Sequence, residues 1–127
     1  MIHHEYLLQK EVCKFLDVNY PNVMYMSDTI ANVKLTLPQQ ARNKAIQKEG
    51  FKCPDLIIFE PKGGYSGLFL ELKTKSPFKK DGGLYKNNHL EGQHKTIISL
   101  FCKGYAAYFA WDLKQIKDVI NNYMNLI

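Results

Sequence analysis

The sequence predicts a single α/β domain in which a central mixed β-sheet is flanked by helices. Its 127 residues, 46% of them hydrophobic, suffice for one compact core but not for two. The apolar residues alternate between helical and strand spacing, which gives the element order α-β-α-β-β-α-β-α. Neither an internal repeat nor a linker interrupts this order, so we treat residues 1–127 as one domain.

Four segments are predicted in the first half of the chain. Leu8, Val12 and Leu16 share one helical face, which predicts an amphipathic helix over Glu5–Asp17. Pro21 precedes a segment typical of a short strand, and Pro38 and Gly50 suit the start and end of a second helix, whose exposed side is basic. These later segments are the strand Val23–Met26, the partly extended loop Asp28–Leu37 and the helix Gln39–Glu49.

The second half begins with two short apolar strands, Leu56–Glu60 and Leu68–Lys73, separated by the glycine and proline residues of a hairpin loop. The lysine-rich stretch Thr74–His89 is long for a structureless connection, so we expect it to be functional, or mobile until a ligand orders it. A helix then ends at Gly104. The last segments are the strand Tyr105–Ala110 and a helix with the capping residues Asp112 and Gln115 and the inner face Ile116, Val119, Ile120 and Tyr123.

Positive charge is concentrated in two windows of the sequence. Lysine and arginine outnumber aspartate and glutamate by 17 to 12. The windows Lys34–Lys52 and Lys73–Lys86 together hold ten of these cations and only two acids. Such patches indicate a polyanionic partner, although lysine-rich loops also serve solubility alone.

The three cysteines form neither a CxxC pair nor a Cys/His ligand pattern, so neither a disulfide framework nor a zinc site is indicated. No basic segment leads into an apolar run at the start, and no apolar stretch approaches the ~18 residues of a spanning helix. We therefore expect a protein of the reducing cytoplasm with no membrane partner.

Asp55, Glu71 and Lys73 lie in the apolar hairpin strands or directly beside them, although a lone buried charge is costly unless it is paired or binds a metal. If the strands pair symmetrically about Gly64, Asp55 lies opposite Lys73 and diagonally beside Glu71, while Glu71 and Lys73 share a face. Mg²⁺ or Mn²⁺ would relieve the repulsion between the carboxylates, with the carbonyl of Leu72 as a further ligand. With the lysine facing metal-bound water, this array suits hydrolysis of a phosphodiester.

These residues resemble a known motif. Pro54-Asp55 followed by Glu71-Leu72-Lys73 looks like the bipartite motif of the PD-(D/E)XK nuclease superfamily. The surrounding order of helices and strands resembles the VRR-NUC domain over nearly the whole chain, in particular the small stand-alone versions of phages, whose core is similar to that of Holliday junction resolvases. The resemblance implies a restriction-endonuclease-like fold and a homodimeric, metal-dependent DNA endonuclease selective for branched or four-way junction DNA. If phage-encoded, it would act in the cytoplasm of a bacterial host.

The resemblance also implies roles for single residues. The family uses a glutamate of the first helix as a metal ligand, and helical geometry favours Glu5 over Glu11, because Glu5 lies in the apolar stripe. A glutamine on the helix after the E-x-K strand corresponds to Gln93. The implied metal ligands are Glu5, Asp55, Glu71 and the carbonyl of Leu72, and the implied catalytic residues are Asp55, Glu71, Lys73 and Gln93.

These residues also have purely structural interpretations. Glu5 could be an ordinary acid of a first helical turn, Gln93 a boundary residue of its helix, and His94 is better explained as a packed histidine than as a base. The residue before the motif proline is usually glycine in this family, whereas here it is Cys53, so the backbone at this point must accommodate a side chain.

The nuclease hypothesis gives the basic residues near the site a role as phosphate contacts, namely Arg42, Lys44, Lys48, Lys75, Lys79 and Lys80. One alternative is a catalytically degenerate DNA-binding module with the same fold. Another is a metal-independent interaction domain in which Asp55 and Lys73 form a cross-strand ion pair. Converging carboxylates argue against the DNA-binding module, because they repel phosphate when no metal lies between them, whereas the interaction domain leaves Glu71 surplus.

Overall fold

The structure is a computed structural model that describes residues 4–28 and 34–127. Its helices and strands are, in chain order, α1 (His4–Asn19), β1 (Tyr25–Ser27), α2 (Leu37–Ile46), β2 (Leu56–Ile58), β3 (Leu68–Lys73), α3 (Asn88–Cys102), β4 (Ala106–Trp111) and α4 (Leu113–Met124). The predicted order of elements is therefore confirmed. Within the described ranges no helix combines the length and the apolarity needed to cross a membrane.

The four strands form one mixed sheet in the order β1-β2-β3-β4, in which only the β3–β4 pair is parallel. The side-chain period of two divides each strand between two layers. Leu70 and its even-numbered neighbours in β3 pack against α1 and α4, whereas Phe69 packs on the opposite face against α3. The predicted α/β class with a central mixed sheet flanked by helices is confirmed.

Helix α2 begins earlier and ends earlier than predicted. Thr36 caps it, because its hydroxyl accepts from Gln39 N while the Gln39 side chain accepts from Thr36 N. The helix ends at Ile46, since Gln47 already adopts an extended conformation. No residue of α2 is buried. The predicted loop Asp28–Leu37 lies partly outside the described residues.

The register of the β2–β3 hairpin differs from the prediction. Leu56 pairs with Leu70 and Ile58 with Leu68, so the pairing is centred on Gly63 rather than Gly64, and Asp55 is in line with Glu71 instead of Lys73. The cause lies in the loop. Gly63 and Gly64 both have positive φ, at 57° and 85°, as a type I′ turn requires, and the β2 side of this turn carries one more residue than the β3 side.

Helix α4 begins at an N-terminal cap that is only half of the predicted capping box. Asp112 accepts from Gln115 N at 3.1 Å, as predicted. The Gln115 side chain, however, accepts from Trp111 N at 2.8 Å rather than from the backbone of Asp112. On the inner face, Ile116, Ile120 and Tyr123 are buried. The Tyr123 hydroxyl donates to Glu60 O at 2.6 Å and so links α4 to the hairpin.

Candidate metal and nucleic-acid site

The Pro54-Asp55 pair ends the ladder between β2 and β3 and places a carboxylate there. Because proline has no N–H, Pro54 cannot donate to the carbonyl of Leu72, which it would face in a continued ladder. The Asp55 side chain takes the place of a ladder acceptor, and its Oδ2 accepts from Leu72 N at 2.9 Å. The end of β3 therefore presents a fixed carboxylate beside the Leu72 carbonyl.

Glu71 is a buried carboxyl, with only 5% of its surface exposed. Burial raises the pKa of Glu71 to about 9, and a hydrogen bond and charge repulsion from Asp55 add to the rise. The protonated Glu71 donates this hydrogen bond to Asp55, since two ionised carboxylates would repel each other at contact. We call Asp55 and Glu71 the carboxylate pair. Without a cation, the pair holds a proton at neutral pH.

Lys73 lies on the same face of β3 as Glu71, two residues further along the strand. It is half-buried, and its ammonium opposes the rise in the pKa of Glu71. The predicted convergence of Asp55, Glu71 and Lys73 at one sheet end is therefore present. What differs is the partner that faces Asp55, which is the glutamate rather than the lysine.

The two glutamates of α1 occupy different surroundings. Glu5 is exposed and lines, together with Lys73, a cavity of about 390 Å³, and its charge also raises the pKa of Glu71. Glu11 lines a separate depression next to Asp112. In the described part of the chain, no three Asp, Glu, His or Cys side chains stand close enough to hold a metal. Glu5 therefore lies near the pair without completing a three-residue cluster.

Gln93 is buried on α3, the helix that covers the same face of the sheet as Glu71 and Lys73. Its Nε2 lies 3.2 Å from His89 Nε2, and Lys52 Nζ lies 3.4 Å from His89 Nδ1. Within residues 4–28 and 34–127, Gln93 Oε1 has no hydrogen-bond partner. An orphaned buried oxygen is uncommon in folded proteins and indicates a missing donor or ion.

The sequence analysis did not identify a second polar cluster, which lies near Cys53 and consists of Gln9, Ser27 and Asp28. The half-buried thiol has a raised pKa, caused first by burial and then by the charges of Asp28, Glu71 and Asp55. Asp28 continues the β1–β2 ladder, since its N–H donates to Asp55 O at 2.8 Å. Buried Gln9 of α1 donates to the Ser27 hydroxyl and, at 2.7 Å, to Asp28 O. The only sequence feature that could have indicated this cluster is Asp28, an acidic residue directly after a short strand.

The predicted phosphate contacts are all exposed, in two groups. Arg42 and Lys44 lie on α2 and Lys48 follows it, while Lys75, Lys79 and Lys80 lie in the segment Thr74–Asn87, which we call the β3–α3 loop. The loop is packed against the sheet. Phe78 packs its ring against Phe109 and Trp111 at 5.8 Å each, which anchors the loop to the sheet.

His94 stacks on the ring of Phe109 at 6.3 Å. The prediction of a packed histidine is thereby confirmed. Among the other aromatic residues of β4, Phe109 is buried and Trp111 is partly buried, whereas Tyr108 keeps 40% of its surface exposed. The aromatic strand is therefore core on one side and partly surface on the other.

The donor set fits a hard divalent cation. Two carboxylates and a main-chain carbonyl are oxygen ligands, and Mg²⁺ is typically held by one or two carboxylates, with water and substrate phosphate completing its shell. A cation bound by Asp55 and Glu71 would compensate their negative charges, as the proton on Glu71 does without it. Among the described residues no third acidic side chain joins the pair. The site therefore suits Mg²⁺, which keeps several waters, better than a cation that needs an all-protein cage.

The fold and the site define an α/β domain with an acidic pair and a lysine at one end of a mixed sheet. A solved structure, a "VRR_NUC domain protein", matches this chain with a TM-score of 0.64 and 22% identity, covering 96% of this chain and 88% of that one. The chain therefore has the VRR_NUC domain fold, consistent with a restriction-endonuclease-like architecture. No known protein family and no curated protein matches the sequence.

Proposed function

We propose that the chain is a metal-dependent DNA endonuclease that hydrolyses phosphodiester bonds. The contact between the Asp55 and Glu71 carboxyls, with Lys73 on the same face, carries this proposal. A module that only bound DNA would gain nothing from two acids that repel phosphate. The likeness in fold to a VRR_NUC domain protein supports the same reading.

Each residue of the site has a chemical task in this mechanism. Asp55, Glu71 and the carbonyl of Leu72 would hold Mg²⁺ or Mn²⁺, with Glu5 as a further ligand from α1. When bound, such an ion lowers the pKa of its water and neutralises charge on phosphate oxygens. Lys73 orients the attacking water and stabilises the charge that develops on the phosphate. Gln93, whose Oε1 is orphaned, accepts a hydrogen bond from the same water.

Cleavage of a DNA panel tests this proposal. Linear, flapped and four-way DNA are incubated with the protein in Mg²⁺ or Mn²⁺, and Glu71→Gln serves as the inactive control. We expect cleavage by the unmodified chain, with a preference for the branched substrates. If the protein binds these DNAs and cuts none of them, the proposal fails and the degenerate DNA-binding module takes its place.

The basic side of α2 is proposed as a surface for the DNA backbone. All of its residues are exposed or half-exposed, so its cations are available to phosphates. Replacing Arg42, Lys44 and Lys48 together by alanine is expected to weaken binding to every DNA and to lower the slope of log affinity against log salt by about 3. Fluorescence anisotropy at several salt concentrations measures both quantities.

A matched triple variant serves as the control for α2. Lys10 and Lys14 on α1 and Lys103 after α3 are also exposed, and replacing all three by alanine removes the same charge. We expect the salt slope of this variant to stay close to that of the unmodified chain. Equal losses in the two triple variants would mean that only net charge matters, and α2 would have no specific role.

The structure-selective activity on four-way DNA is proposed to require a homodimer. An apolar groove of about 580 Å³ lies between α3, β4 and α4, and its rim exposes Ile98, Phe101, Tyr108 and Leu126. Contiguous exposed apolar surface of this kind is typical of protein interfaces. Two copies joined through this groove would place one carboxylate pair on each strand of a symmetric substrate.

Tyr108→Lys is expected to convert the dimer to a monomer while the fold is kept, because the Tyr108 side chain is 40% exposed and lies in the groove. Light scattering coupled to size exclusion measures the mass. The control is Met24→Lys, which introduces the same charge at an exposed apolar position just before β1. A monomeric unmodified chain would exclude the dimer outright.

A further inference from the structure

The cavity of about 390 Å³ lined by Glu5 and Lys73 extends to residues of the β3–α3 loop that the mechanism above does not use. It opens beside Lys73, so a group bound in it would lie next to the reacting phosphate. Its walls come from α1, the end of β3, the β3–α3 loop and the first turn of α3. The lining residues on which the argument depends are Lys75, Thr74, Ser76, Pro77, Tyr85 and Leu90.

The loop that forms most of the wall is held in place by the protein itself. Tyr85 N donates to Pro77 O at 3.0 Å. Phe78 and Leu84, which lie between Pro77 and Tyr85 in the chain, pair in an antiparallel bridge. Phe78 is in turn packed against β4. Contacts within the protein therefore shape the wall of the cavity, as is usual for small-molecule sites.

The lining combines an aromatic face with polar edges. Tyr85 is 52% exposed, while buried Pro77 and half-buried Leu90 supply apolar surface nearby. The hydroxyls of Thr74 and Ser76 and the ammonium of Lys75 supply hydrogen-bond donors. A ligand with a flat apolar face, polar edges and a phosphate matches this set, and a nucleotide has all three features.

We propose that this cavity receives one unpaired nucleotide next to the phosphodiester that is cut, with its base stacked on Tyr85. This inference rests on the proposed nuclease function and names its substrate, which is DNA with an unpaired or flipped nucleotide at the cleavage site. The cavity volume of about 390 Å³ is close to the smallest volumes of ligand pockets, which begin at about 300 Å³. It suits one nucleotide rather than a base pair. Stacking on an aromatic ring holds any base, so the site selects for unpairing rather than for sequence.

Binding measurements with non-cleaving protein test this inference. In a Glu71→Gln background, we compare the affinity for a duplex with one bulged nucleotide against the affinity for the fully paired duplex. We expect a preference of roughly tenfold for the bulged DNA. Tyr85→Ala should abolish this preference and leave affinity for the paired duplex unchanged, while Tyr85→Phe should retain it, because stacking needs only the ring.

Phe59→Ala is the matched control, since it removes an aromatic residue of similar exposure, 50%, directly after β2. It should keep the preference. If Tyr85→Ala binds bulged and paired DNA with the parent's ratio, the nucleotide site is wrong. Cleavage assays separate this failure from failure of the nuclease proposal. If the protein cuts DNA but Tyr85→Ala leaves the ratio of bulged to paired affinity unchanged, only the nucleotide site is refuted. If Tyr85 determines a preference for bulged DNA but the protein never cuts, only the nuclease proposal is refuted.

Discussion

Replacement of Lys73 by alanine is expected to lower the cleavage rate by about 10³ and to leave Mn²⁺ affinity nearly unchanged. Lys73 is the cation on the Glu71 face of β3, and its charge already acts on that carboxyl, as the opposing effect on the pKa of Glu71 shows. It donates no ligand atom to a metal, so its loss removes charge stabilisation and water orientation rather than the ion itself. Single-turnover cleavage and calorimetric titration with Mn²⁺ measure the two effects separately.

Two variants make this result specific. Lys103→Ala removes the same charge from an exposed position after α3, near the opposite end of the sheet, and is expected to cut at the parent's rate. Lys73→Arg keeps the charge but changes its geometry, and we expect partial activity. Parental activity in Lys73→Ala would remove lysine from the mechanism, and a large loss of Mn²⁺ affinity would mean that its role is to support the metal site.

The sequence could predict which face the site occupies but not the partner of each residue. Shifting the hairpin centre from Gly64 to Gly63 moves the pairing by two positions, and a shift of two leaves every side chain on the same face. Asp55, Glu71 and Lys73 therefore converge in either register. Only the loop decides the register, and the extra residue on its β2 side gives no signal in the apolar pattern.

Polar contacts across elements were beyond prediction for a different reason. Gln9 follows Leu8 on α1 and has the polarity of a surface residue, yet it is buried because β1 docks beside it. His89 and Lys52 are 37 positions apart, and their contact depends on how the segment before β2 meets α3. Helical spacing on α1 did favour Glu5 over Glu11, and it is Glu5 that lines the cavity beside Lys73.

The metal-free domain is expected to lose stability as pH rises from 5.5 to 8, by about 3 kcal/mol. The ordinary pKa of Glu71 is 4.5, and in the folded chain it is about 9. A raised folded pKa means that the folded state holds a proton that the unfolded state releases. The stabilisation is complete below pH 4.5 and is lost progressively up to pH 9. Thermal unfolding in a chelator should show a lower Tm at pH 8.

Glu71→Gln should flatten this pH dependence, because glutamine cannot release a proton. Glu91→Gln, at an exposed position of α3, should keep the parent's slope.

Mn²⁺ should raise the Tm of the unmodified chain more at pH 8 than at pH 5.5, since the ion must displace the proton of Glu71. It should raise the Tm of Glu71→Gln much less at either pH. A cation effect that is independent of pH, or a Glu71→Gln variant with the parent's slope, would mean that the proton lies elsewhere. The carboxylate pair would then not be the place where proton and metal compete, and the catalytic site would have to be sought outside the end of β3.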